Sequence, residues 1–294
     1  MKIAIIKLGA LGDLIRTLPI AKALKEKYPF ANITWITQKK CQDILKGNLY
    51  INKILTVPFE TKEDYDILYN FDTDEEATTL AEDINAKKRF GFTRKDGFLA
   101  TFNLGAEYYI NTFFDDDLKK NNKKTYQEMM FEAAELSYKK ILPEIFLSSK
   151  DLQYGKLFFD KQKLIPQKTI GIHMGASPRW PSKIWHESCI KEFIIKAKSD
   201  GHGILLFGGP NEVNRLDKLV KELSEKGLIV SSNNLHNTIK EFASLVYFCE
   251  IMVCSDSFAL HLSLALKKPT IGLFFCTSPN EVEDYGLLHK ISAP

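Results

Sequence analysis

At 294 residues, 45% hydrophobic and 26% charged, the chain has the composition of an ordered globular protein and the length of two domains rather than one. Forty Lys and Arg against 37 Asp and Glu leave a net charge of +3, so no global field selects nucleic acid as partner, and an anionic ligand must be held by a local site. The five cysteines (Cys41, Cys189, Cys249, Cys254, Cys276) show neither a C-x-x-C pair nor metal spacing. Neither a leader-like start nor a run of about 18 uncharged apolar residues occurs, so the expectation is a cytoplasmic protein with reduced thiols, in at most peripheral contact with the inner face of the membrane.

Lys2–Lys7 is an apolar, β-branched run that leads into the Gly-rich turn LGALG and an amphipathic stretch from Asp13 to about Tyr28. That order predicts strand, tight loop, helix. Strand-like runs at Ile33–Thr37, Ile54–Val57 and Asp66–Phe71 alternate with helical stretches, the pattern of a parallel sheet covered by helices. From Phe90 to Lys124 the texture turns aromatic, Gly-rich and charged without a sustained period, which predicts an irregular excursion. A helix over Tyr126–Tyr138 and a polar, Lys-rich segment over Ser148–Lys168 follow.

The second half repeats the alternation: strand Thr169–His173, helix near His186–Lys198, strand Gly203–Phe207, helix Asn211–Lys226, helix Ile239–Glu250, strand Ile251–Cys254, helix Ser257–Leu266, strand Thr270–Phe274. The join is expected between Asp151 and Gln167, giving domains 1–160 and 161–294. Ligands of open parallel sheets sit at the carboxyl ends of the strands, so the loops there are where chemistry is sought.

Four such loops stand out. In KLGALGDLIRTLP, Lys7 to Pro19, the glycines let the backbone turn tightly and the helix start near Asp13 aims its amides at the same place. The spacing fits neither a dinucleotide fingerprint nor a P-loop, and Asp13 reads as an N-cap or as a functional carboxylate. In HMGASPRWPSKIWHE, His173 to Glu187, Gly175 and Ser177 leave amides accessible while Arg179 and Lys183 supply positive charge for a pyrophosphate; the bland alternative is a surface loop anchored by Trp180 and Trp185. In CSDSFALHLSLALKKPTIGLF, Cys254 to Phe274, Asp256, Ser257 and His261 converge on one helix start, although a lone helical histidine is more often core. FGGPNEVNR places Glu212 at another strand-to-helix turn, where a carboxylate accepts bonds from a ribose.

Together, in order and over nearly the whole chain, these elements resemble the family 9 glycosyltransferases, the bacterial heptosyltransferases that use ADP-heptose to build the lipopolysaccharide inner core. The resemblance implies an α/β fold of the GT-B kind, two Rossmann-like domains with parallel sheets facing a central cleft, acceptor on the N-terminal side and nucleotide-sugar donor on the C-terminal side. It implies Asp13 as catalytic base, with Lys7, Gly12 and Arg16 on the acceptor side. Gly175, Ser177, Arg179, Lys183, Glu212, Asp256, Ser257 and His261 form the donor-binding set. Two positions depart from the pattern. The family's phosphate-binding lysine falls on Pro178, so Arg179 or Lys183 must substitute, and Phe258 stands where the family has glycine. Without a long terminal helix, coupling of the halves is expected to lean on the interdomain loop.

The implied reaction is an inverting transfer from an ADP-sugar onto a saccharide or lipid-linked saccharide, with no cofactor and no metal. Asp115–Asp117, beside Lys119, Lys120, Lys123 and Lys124, reads as solvated surface rather than a metal site. The aromatic and basic residues of Phe90–Lys124, Arg94 and Lys95 among them, are the candidates for acceptor contact. A transferase with another nucleotide-sugar donor and a catalytically silent nucleotide-sugar binding protein stay open as alternatives.

Overall fold

The computed structural model describes residues 1–59, 63–175 and 180–293. Two compact units divide the chain, the first made of Met1–Phe146 with Asn280–Glu283 and the second of Leu147–Pro279 with Asp284–Pro294. The first unit runs β1 (Lys2–Ile6), α1 (Leu11–Thr17), α2 (Pro19–Lys27), β2 (Asn32–Gln38), α3 (Gln42–Leu45), β3 (Lys53–Val57), β4 (Tyr65–Asn70), α4 (Glu75–Asp83), β5 (Ala86–Lys95), β6 (Phe98–Thr101), α5 (Glu107–Asn111), α6 (Asp116–Asn121) and α7 (Tyr126–Ala133). The second runs α8 (Ser149–Gln162), β7 (Thr169–His173), α9 (Glu187–Ser199), β8 (Gly203–Phe207), α10 (Val213–Glu225), β9 (Ser231–Ser232), α11 (Ile239–Phe248), β10 (Ile251–Ser255), α12 (Phe258–Ala265), β11 (Thr270–Phe274) and β12 (Leu288–Ser292).

In the first unit the strand order is β3-β2-β1-β4-β5-β6. The run KIAII is buried along almost its whole length because β1 lies between β2, in register Ile3↔Ile33, and β4, in register Ile3↔Ile67, with helices over the faces. Ala4, Ile6, Leu8, Ile36 and Leu68 form a core with Ala77 and Ala81 of α4. The expected long helix after β1 is two helices, since Pro19 at the first turn of α2 lacks the amide that would continue α1.

The sheet is not wholly parallel. The expected irregular excursion opens instead with β6 paired antiparallel to β5, in register Phe92↔Thr101 and Lys95↔Phe98. Asp96 and Gly97, at φ 52° and 81°, make the two-residue turn whose twist suits a hairpin. Short helices α5 and α6 follow, and α6 is capped by the side chain of Asp115, which accepts from Leu118 N at 2.9 Å.

The second sheet has the order β12-β11-β10-β7-β8-β9, parallel throughout. Its core joins Ile170, Ile172, Ile204, Leu206 and Val253 of the strands to Ile190 and Ile194 of α9 and Leu216, Leu219 and Leu223 of α10. The units divide at Phe146 rather than in the Lys-rich segment, which is the helix α8. Ser148 and Asp151 form its capping box. Gly155 lets α8 press against α11, its amide donating to Ser244 Oγ at 3.0 Å. Residues Asn280–Glu283, by contrast, are built into the first unit, where the buried Glu283 carboxylate accepts from Tyr138 Oη at 2.7 Å and Lys140 Nζ at 3.4 Å.

Candidate active site

Each sheet has one topological switch point, where neighbouring strands are reached in opposite directions and the loops at their carboxyl ends part to leave a crevice. In the first unit it lies between β1 and β4, in the second between β7 and β10. The motifs found in the sequence fall at these two places.

At the first, Lys7 follows β1 and is 4% exposed. Its ammonium donates to Asp72 Oδ1 at 3.1 Å and to the Phe71 carbonyl at 3.0 Å, both beyond the end of β4. Burial disfavours the charge, but the acidic groups around it, Tyr126, Asp72 and Asp13, outweigh that and raise the Lys7 pKa. The other Asp72 oxygen accepts the Leu8 and Gly9 amides at 2.8 and 3.3 Å. Lys7, assigned to the acceptor side, is thus committed to an internal partner.

Asp13 is the third residue of α1, whose N-cap is Ala10, so the N-cap reading of this carboxylate is wrong. In the first turn its charge is favoured by the helix amides. Gly12 precedes it inside the helix. Asp13 Oδ1 pairs with the Arg16 guanidinium, and its side chain remains 35% exposed against 14% for Arg16. Arg16 is stacked over the Tyr126 ring, 4.0 Å from its centroid. Tyr126 Oη lies 3.3 Å from Thr17 Oγ1, and its ring meets Tyr109 edge-on at 5.8 Å. Burial raises both tyrosine pKa values, so at neutral pH the phenols are hydroxyl groups beside the carboxylate.

Of the basic residues expected to meet the acceptor, Arg94 turns to the Gly97 carbonyl at 3.1 Å and Lys124 to Glu132 at 2.6 Å. Lys95, Lys119, Lys120 and Lys123 are exposed, as are Asp115, Asp116 and Asp117. Phe98 and Phe114 also face solvent.

At the second switch point Ser177 and Arg179 lie outside the described residues, as does Pro178. The flanks of that loop are fixed by Arg215 of α10, which donates to the Met174 carbonyl at 2.8 Å and the Trp185 carbonyl at 2.7 Å. Lys183 closes a short helical turn, and its ammonium meets Asp256 Oδ2 at 2.7 Å. The other Asp256 oxygen lies 3.6 Å from His261 Nε2 on α12. Ser257 is the N-cap of α12 but its hydroxyl does not cap; it lies 3.4 Å from His173 Nδ1 instead. Burial lowers the His173 pKa to about 4, so the ring is neutral. Glu212 Oε2 accepts from the Gly209 amide at 2.7 Å, and its carboxylate lies so close to Gly175 that a Cβ there would stand 2.9 Å from Glu212 Cδ. Gly175 with Glu212, and Lys183 with Asp256, Ser257 and His261, are therefore brought together. Phe258 packs on Phe242 with centroids 5.9 Å apart, in a cluster with Phe207 and His173.

Asp72 and Tyr126 lie outside the four loops, and His173 and Arg215 sit at the edges of two of them without a role read from the sequence; the places of all four follow from strand pairing and helix packing. Among the described residues no group of three or more His, Cys, Asp or Glu is placed to hold a metal ion, and no helix is long and apolar enough to cross a membrane.

The sequence model described as Glycosyltransferase family 9 (heptosyltransferase) matches residues 61–292. Lipopolysaccharide heptosyltransferase 1 of Campylobacter coli is 26% identical over 322 residues, covering 97% of this chain and 90% of the relative. Among solved structures, a glycosyl transferase family 9 protein from Veillonella parvula superposes with a TM-score of 0.81 at 17% identity, covering 99% of this chain and 86% of that one. The ADP-heptose lps heptosyltransferase II of E. coli gives 0.73 at 18% identity, covering 99% and 90%. The two switch-point sheets are the α/β, GT-B kind of Rossmann-like domain those structures share, and with its model matched from residue 61 to residue 292 the chain belongs to glycosyltransferase family 9.

Proposed function

We propose that this glycosyltransferase moves heptose from ADP-heptose onto a lipopolysaccharide core or a related envelope saccharide, with inversion and without a metal ion. The relatives named for that activity support the donor and acceptor classes. The observation that carries the chemistry is Asp13, a partly exposed carboxylate held by Arg16 at a switch point. The acceptor hydroxyl attacks the anomeric carbon, the bond from that carbon to the diphosphate oxygen breaks on the opposite face, and Asp13 takes the hydroxyl proton. Lys183, Ser257 and the first amides of α12 offset the charge that grows on the leaving phosphate, together with Ser177 and Arg179 of the same loop. Glu212 and Gly175 form the ribose side of the donor site, and Asp256 and His261 hold Lys183 in place.

The acceptor brings the protein to the inner face of the cytoplasmic membrane, where contact is peripheral. The deciding experiment is mass spectrometry of the product formed from ADP-heptose and a bacterial core oligosaccharide. Native protein should add one heptose, Asp13→Asn should add none while still binding donor, and a chelator should leave the rate unchanged. Turnover by Asp13→Asn at the native rate removes Asp13 from the chemistry.

A second reading keeps the transfer and changes the donor. Phe258 favours it, since a ring packed on Phe242 occupies the α12 start where the resemblance expects glycine. A panel of ADP-, UDP- and GDP-sugars separates the two: preference for a donor other than ADP-heptose selects the second.

A further inference from the structure

Asp72 is 6% exposed and does two things at once. One oxygen takes the Lys7 ammonium, and the other takes the amides of Leu8 and Gly9, from which the chain turns into the helix that carries Asp13. Asn70 fixes Asp72 from behind, its Oδ1 accepting the Asp72 amide and its Nδ2 donating to the Asp72 carbonyl, both at 3.0 Å. The pairing exists only because β4 lies beside β1, which brings together residues more than sixty positions apart.

The charged and titratable groups around Asp13 include Arg16 on its own helix, Lys7 beyond β1 with its partner Asp72 beyond β4, Tyr109 on α5 and Tyr126 on α7. Resting on the reading of Asp13 as the base, we propose that Lys7 and Asp72 are a positioning pair: they tune the basicity of Asp13 through their opposite charges and aim its helix through Leu8 and Gly9, without touching the acceptor. Removing the Asp72 charge leaves Lys7 as an uncompensated cation, which holds the proton off Asp13. Removing the Lys7 charge does the opposite, because it takes the cation away from beside the Asp72 carboxylate. A unit charge roughly 10 Å away at an effective dielectric of about 20 moves such a carboxylate by about one pH unit.

The test is the pH dependence of kcat in Asp72→Asn, Lys7→Met and the double variant, with Asp13→Asn as control and ADP affinity and melting temperature as checks on folding. The acid-side limb should move about one unit down in Asp72→Asn, about one unit up in Lys7→Met, and return toward the native position in the double variant, while ADP binding stays unchanged. Should Asp72→Asn fail to fold, the upward move in Lys7→Met decides alone. Limbs that stay at the native pH in both single variants overturn the proposal, even if kcat falls, since a merely structural pair lowers the rate without moving the limb. Native turnover by Asp13→Asn instead brings down the base assignment and the proposal with it, so the two failures are told apart.

Discussion

At the switch point of the first unit, two cations and two anions are packed so that each charge has an opposite neighbour, Lys7 with Asp72 and Arg16 with Asp13. At that of the second unit, the side chain facing Ser257 is a histidine that burial keeps neutral, and the ion pair of Lys183 and Asp256 stands to one side with His261 beside it. The contrast matches two tasks. A base needs its basicity fixed by a balanced surrounding, whereas an anion site needs amides and hydroxyls left without a competing fixed charge, plus a cation that can turn toward the ligand.

Removing the carboxylate proposed as proton acceptor is the harshest way to break this comparison: Asp13→Asn should lower kcat by about a thousand-fold with donor affinity unchanged, read by steady-state kinetics and calorimetric titration of ADP. Next in size is the cost of keeping His173 neutral. Its folded pKa, about 4, lies below its ordinary 6.5, so the unfolded chain binds the extra proton first. Stability is then whole above about pH 6.5 and falls as the pH drops toward 4, by up to roughly 3 kcal/mol. Urea denaturation of native protein and His173→Gln across that window should show the native curve falling more steeply on its acid side than the variant curve. Lys183→Met should weaken ADP binding by about 10- to 100-fold while sparing AMP, which lacks the second phosphate. Ser257→Ala sharpens the picture most gently, with a loss of about five-fold in ADP affinity, the worth of one neutral hydrogen bond.

Much of the fold was legible in the residues. Strands such as Thr169–His173, Gly203–Phe207 and Thr270–Phe274 appear at the positions their apolar runs predict, because a strand buried on both faces reads as a continuous apolar block. What escaped had local signals masked by composition. Asp96-Gly97 is a hairpin turn in plain sight, but the aromatic and charged texture around it conceals the strand alternation. Ser148 and Asp151 cap a helix whose Lys-rich face suggests a linker. Other features had no local signal at all. Asp72 and Arg215 act on backbone atoms far away in sequence, and nothing near either residue announces a partner that only the closed sheet supplies. The same holds inside the first unit for Glu283, which finds Tyr138 across 145 positions.

That last contact ties a late stretch of the chain to an early one. Asn280–Glu283 complete the first unit, while β12 returns to the second. A nascent chain leaving the ribosome therefore makes the whole first sheet early, yet carries Tyr138 and Lys140 without their carboxylate until residue 283 has been added. Gene fragments split at the join inherit the same deficit, one half lacking Glu283 and the other holding it as an orphan charge.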